Sequence, residues 1–237
     1  MIEQSLEYET GGVTFEARVC WDDDLSAPRP AVLISHAWGG RSDFENGKAK
    51  ALASLGYVGI AIDLYGKGVL GTSREENAGL MQPLLDDRGL LQNRIAAALT
   101  AARTLEAVDA SRVSAIGFCF GGLCVLDLAR CGADVNGVAS FHGLLGAPAN
   151  ISEPRIEAKV LILHGHDDPM APVEDVINIE KEMTGAGADW QIHVYGNTMH
   201  SFTNPNANDP DFGTVYDESA DRRSWRTLLG FLEEVSS

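Results

Sequence analysis

Apolar residues in this chain gather in short unbroken runs. The runs alternate with longer segments whose apolar positions recur about every 3.6 residues. "RPAVLISHAW" at 29–38, "YVGIAIDLYG" at 57–66 and "RVSAIGFC" at 112–119 are continuous and short. Such runs predict strands covered on both faces. "VNGVASFHG" at 135–143, "KVLILHG" at 159–165 and "WQIHVYG" at 190–196 predict three more. "GGVTFEARVCW" at 11–21 alternates, as an early half-exposed strand does. Helical patterns cover residues 44–55, 88–108, 120–130, 173–183 and 217–235. Residues 69–89 form a long connection between a strand and a helix, and a lid or pocket wall is expected there. Arg74 and Arg88 lie in that connection as candidate substrate anchors, with solvated surface charge as the alternative reading.

Strands alternating with helices predict an α/β fold: a mostly parallel central sheet with helices on both faces. No repeat, low-complexity stretch or linker breaks the alternation, so one domain over 1–237 is expected. In such folds ligands bind beyond the carboxyl ends of the strands. The loops that begin near His36, Asp63, Cys119, His142, Asp167 and Asn197 are therefore where chemistry is sought.

One of these loops holds "GFCFGG" at 117–122. A buried strand leads in and a helix leads out. A residue held on so sharp a turn adopts a strained backbone, and the residues two before and two after it crowd each other. Gly117 and Gly121 occupy those places, and glycine has no Cβ to clash. The turn also sets Cys119 at a helix N-terminus, where backbone N–H groups favour negative charge. Cys119 is the candidate nucleophile; a small structural cysteine in a tight turn is the alternative.

A nucleophile needs a base, and the base needs an orienting acid. His200, in "NTMHSF", is the one histidine in the loop after the last strand. Asp167 and Asp168 leave the sheet after "KVLILHG". Asp168 is the preferred acid on the spacing of "HGHDDPMAP", with Asp167 as its rival. His193 lies inside a strand, His164 and His166 read as structural, and His142 precedes the acid and could line a pocket. Acyl transfer also needs two N–H donors aimed at the developing oxyanion. The amides of Phe120, just after the nucleophile, and Ala37, in "SHAWGG" at 35–40, are the candidates, although the Gly-Gly pair also fits an ordinary turn.

Composition narrows the field. The chain has 237 residues, 45% of them hydrophobic, enough for a packed core, and a formal net charge of −16. That charge disfavours nucleic acid and anionic membranes as partners. No apolar run approaches the roughly 18 residues of a membrane span. The polar, acidic start lacks the pattern of a secretory signal, so a cytoplasmic protein is expected. The four cysteines form no C-x-x-C pair and no zinc-ligand spacing, which predicts free thiols and no metal.

Five motifs together carry a resemblance that spans nearly the whole chain. They are "SHAWGG", "AIDLYGKG" at 61–68, the "GFCFGG" elbow, "HGHDDP" and "YGNTMHSF". The set resembles the dienelactone hydrolase family of the α/β-hydrolase fold, whose distinguishing mark is a cysteine at the elbow. The resemblance implies a Cys119–His200–Asp168 triad that hydrolyses an ester or lactone without a cofactor; a small-molecule substrate and a monomer or homodimer are expected. It also implies a pocket to which His36, Trp38, Lys67, Phe202 and Asn204 contribute. Dienelactone-cleaving members carry a glutamate where His36 stands, and it holds the cysteine protonated until substrate arrives. They bind the substrate carboxylate through two arginines, where Lys67 and Asn204 stand. The anionic anchor is half lost, which points away from dienelactone itself. A thiol-based redox enzyme or peroxide sensor, and a non-catalytic binding module on a hydrolase fold, are the rival functions.

Overall fold

The computed structural model describes residues 1–23, 27–152 and 155–237. The hydrophobic runs become strands β2 (Val13–Trp21), β3 (Arg29–Ser35), β4 (Val58–Ala61), β5 (Val108–Phe118), β6 (Gly137–Phe141), β7 (Lys159–Gly165) and β8 (Trp190–Tyr195), and a further strand, β1 (Ile2–Thr10), precedes them. They form one sheet in the order β1-β2-β4-β3-β5-β6-β7-β8. From β4 to β8 along that order the strands are parallel, whereas β1 and β2 pair antiparallel at one edge. The mostly parallel sheet expected from the sequence is borne out.

Strand periodicity sends alternate side chains to opposite faces. Ala31 and Leu33 of β3 join the core on one face, while Val32 and Ile34 join the core on the other. Helices α1 (Asp43–Ala53) and α6 (Glu218–Val235) cover the second face through Leu52, Leu228 and Leu232. Helices α2 (Arg74–Asp86), α3 (Arg88–Ala102), α4 (Phe120–Arg130) and α5 (Val173–Gly185) cover the first. Every residue of α4 is buried, as its apolar sequence requires. No helix among the described residues is long and apolar enough to cross a membrane.

Three expectations change. The polar opening residues form β1, whose Tyr8 hydroxyl donates to the Asp63 carbonyl. The pattern at 88–108 is a helix only to Ala102, and Val108 already starts β5. The long connection at 69–89, expected as a lid or pocket wall, holds a helix of its own, α2, capped by the Ser73 hydroxyl, which accepts from the Glu76 amide. A short hairpin of β9 (Asn208–Asp209) and β10 (Thr214–Val215) follows β8.

Candidate active site

Cys119 stands between β5 and α4, at the N-cap of the helix, with φ 55° and ψ −118°. L-residues avoid that region, and a tight strand–helix turn forces it. A Cβ on Gly117 would stand 1.9 Å from the Gly121 carbonyl oxygen, and one on Gly121 would stand 2.3 Å from the Ser35 carbonyl oxygen. Both glycines are therefore required by contact with backbone, which cannot move aside. Phe120 opens α4, so its amide has no acceptor within the helix.

The loop after β8 brings in His200. Its backbone is stitched to β10: the His200 amide donates to Gly213 O at 3.0 Å, and Val215 donates to His200 O at 3.0 Å. The loop after β7 brings in Asp168. His200 Nδ1 donates to Asp168 Oδ2 at 2.7 Å, and both side chains are almost wholly buried. The other carboxylate oxygen accepts from the Met170 amide at 2.8 Å, which fixes the plane of the group. Asp167 is exposed to solvent and its amide donates to Thr198 O, so it does not meet the histidine. His200 Nε2 has no conventional hydrogen-bond partner and is buried. Burial by itself lowers the His200 pKa. The charge of the neighbouring Cys119 thiolate and the bond to Asp168 outweigh it and raise the pKa to about 10.

Two cavities meet at Cys119. The larger, about 660 Å³, has walls of Trp38, Met81, Leu144, Met170 and Phe212, and His200 lies in it. The smaller, about 310 Å³, is lined by Ser42, Glu45, Thr72, His142 and Thr203. Trp38, Cys119, Ser201 and Asn204 border both. The segment between β4 and α3 supplies Leu70 and Thr72 to the smaller cavity and Arg74 and Met81 to the larger. Arg74 lies 4.4 Å over the Phe212 ring and pairs with Asp209, which ties α2 to the hairpin across the cavity. Arg88 instead forms two hydrogen bonds with the buried carboxylate of Asp127, at 2.6 and 2.7 Å.

Of the expected pocket residues, Trp38 and Asn204 reach the walls, and three do not. His36 is wholly buried behind the loop: its Nδ1 donates to Ala37 O at 2.7 Å and its Nε2 accepts from Leu64 N at 3.1 Å. Both ring nitrogens serve the backbone, and burial lowers the pKa, so this histidine is neutral and stands apart from the thiol. Lys67 is drawn outward by Glu7 and Glu16. Phe202 is turned into the core against Tyr195 and His142.

Two more side chains are built into the site: Glu45, which the motifs did not single out, and His142, which was expected to line a pocket. Glu45, in α1, is buried and accepts from Ser42 N at 2.8 Å, Ser42 Oγ at 2.7 Å and Ala37 N at 3.2 Å. The amide expected as the second oxyanion donor is therefore occupied by a carboxylate. The S-x-x-E capping box at 42–45 was the available signal. His142, with φ 37°, accepts from the Cys119 amide at 3.2 Å through Nδ1 and meets Thr203 Oγ1 at 2.8 Å through Nε2. Burial, and then the charge of His200, hold it well below the ordinary histidine range. Among the described residues no cluster of three or more His, Cys, Asp or Glu side chains is placed to hold a metal ion.

Comparison with known proteins agrees with this architecture. The model of the dienelactone hydrolase family matches residues 15–236. The crystal structure of a dienelactone hydrolase-like promiscuous phosphotriesterase from metagenomic libraries is 34% identical, with a TM-score of 0.94, covering 100% of this chain and 99% of that one. A putative dienelactone hydrolase from Klebsiella pneumoniae has a TM-score of 0.80 at 21% identity, covering 98% of each chain, and so shares the fold. A putative carboxymethylenebutenolidase of Aquifex aeolicus is 26% identical over 238 residues, spanning 97% of each sequence. On the breadth of the family match, the chain belongs to the dienelactone hydrolase family.

Proposed function

We propose that the protein hydrolyses an ester or lactone of a small molecule through a thioester on Cys119. The observation that carries this reading is the chain Asp168–His200–Cys119, with 2.7 Å between acid and base and the free edge of the imidazole turned to the thiol at the junction of the two cavities. The thiolate attacks the carbonyl carbon, and the developing oxyanion is held by the Phe120 amide. The Ala37 amide joins it when the carbonyl oxygen displaces the Glu45 carboxylate, whose bond there is the longest of its three. His200 gives its proton to the departing alkoxide. It then takes a proton from water, which cleaves the thioester and returns the thiolate. An ester is favoured over an amide because a thiolate leaves far more readily than an amine.

Among the described residues no other thiol borders either cavity, and Cys124, whose thiol burial raises well above its usual range, is sealed in the core. That favours acyl transfer over a peroxide reaction needing a second, resolving thiol. The four free cysteines and the acidic composition fit a cytoplasmic protein acting on small molecules. The test is Cys119→Ala against a panel of aryl esters and lactones. A loss of about 10⁴- to 10⁶-fold in kcat/KM is expected; undiminished turnover would remove Cys119 from the mechanism.

A further inference from the structure

The two cavities differ in a way that assigns the halves of the substrate. Cys119 borders both, so a carbonyl carbon at its sulfur sends one substituent each way. His200 lies in the wall of the larger cavity and not of the smaller. The leaving oxygen must meet the proton on His200 Nε2, so the alcohol half belongs in the larger cavity. The acyl half, which stays bonded to sulfur, is left in the smaller one. The larger cavity is walled by Trp38, Met81, Leu144 and Phe212, surfaces that suit an aromatic or bulky apolar group. The smaller has less than half the volume, and its walls set Glu45, Thr72 and Thr203 beside the apolar Phe44, Leu70 and Phe118. It suits a short acyl group that is uncharged or carries hydroxyls, and it repels a second carboxylate.

Resting on the thioester reading above, we infer that the substrate class is a short, non-anionic acyl ester of a bulky apolar alcohol, with the acyl half in the cavity of Glu45 and the alcohol half in the cavity of His200 and Phe212. In acylation the S–C bond forms, the C–O bond to the alcohol breaks, and the proton passes from Nε2 to the alkoxide. The alcohol leaves through the larger cavity, and the hydrolytic water enters by the same path, on the side where His200 can take its proton.

Two isomeric esters test the assignment, because they differ only in the side that carries the ring: 2-naphthylmethyl acetate and methyl 2-naphthylacetate. The first is expected to have the higher kcat/KM by at least about tenfold, the scale of a pocket-fit difference. Leu144→Trp, which fills the larger cavity, should narrow the ratio, and Leu70→Ala, which widens the smaller, should narrow it by raising the second ester. Glu45→Gln should raise turnover of the 2-naphthylmethyl hemisuccinate relative to the butyrate by about tenfold, through relief of like-charge contact. Equal or reversed preference between the isomers in the unaltered enzyme, with turnover still dependent on Cys119, overturns the assignment and leaves the hydrolase reading standing. No Cys119-dependent turnover of either isomer or of an activated aryl acetate overturns both.

Discussion

Cys119 owes its position to a backbone conformation that only its surroundings can enforce. With φ at 55° the residue is strained, and Gly117 and Gly121 are the clearance that the strain needs. Gly117→Ala would drive a methyl group into the Gly121 carbonyl. A loss of about 1–3 kcal/mol or more, read as a fall in the urea midpoint, is expected together with loss of esterase activity. Asp168→Asn should lower kcat by about 10⁴-fold, since the histidine loses its orienting charge. The exposed Asp167→Asn should change it by no more than a few-fold. These residues were legible because each stands where a strand ends, in the chain order that the chemistry demands. Lys67, Phe202 and His36 were not, because nothing in a loop's sequence says which way a side chain points. Lys67 follows Glu7 on a strand that the pattern did not reveal, and Phe202 follows Ser201, whose φ of 58° reverses the chain next to the histidine.

At the scale of the element, buried strands announced themselves and edge elements did not. β1 buries Tyr8 alone, so its register comes from its pairing with β2 and not from an apolar face. α2 buries Leu84 alone and carries Pro83 within its last turn, so its sequence offered neither a clear stripe nor an uninterrupted ladder. The end of α3 was hidden because alanine continues to Ala102 without glycine or proline to stop it. The start of α1 shows the opposite case, a local signal with a distant use. Its capping box fixes the helix end and also sets Glu45 at the wall of the smaller cavity. Ser42→Ala should therefore cost about 1 kcal/mol of stability, seen as a lower urea midpoint with an unchanged slope.

At the scale of the whole molecule, buried charge and buried imidazole set the limits of stability. Asp127 and Arg130 are sealed within the fold, joined to Arg88 and Glu182. Asp127→Ala leaves the Arg88 guanidinium without its carboxylate, while Arg130 keeps Glu182, and should cost about 3–5 kcal/mol in a denaturant titration. The histidines act through protons. Burial lowers the pKa of His36, His142 and His164, so the folded state holds fewer protons than the unfolded chain below pH about 6.5. Each then contributes stability that is complete above that pH and is lost as pH falls, at up to about 1.4 kcal/mol per pH unit. His200, with its pKa raised to about 10, works in reverse: its contribution is complete below about 6.5 and is lost as pH rises from there to about 10. Urea midpoints measured between pH 5 and pH 10 should therefore place the histidine share of the stability at its greatest near pH 6.5. His142 gives the acid side of that curve its meaning. Once protonated, its Nδ1 has no lone pair to offer the Cys119 amide. Acid thus reaches the Cys119 turn from beneath, where the amide keeps only its bond to Phe141 O at 3.0 Å. The acid limit of such an enzyme is written in the depth of its floor and not in the titration of its surface.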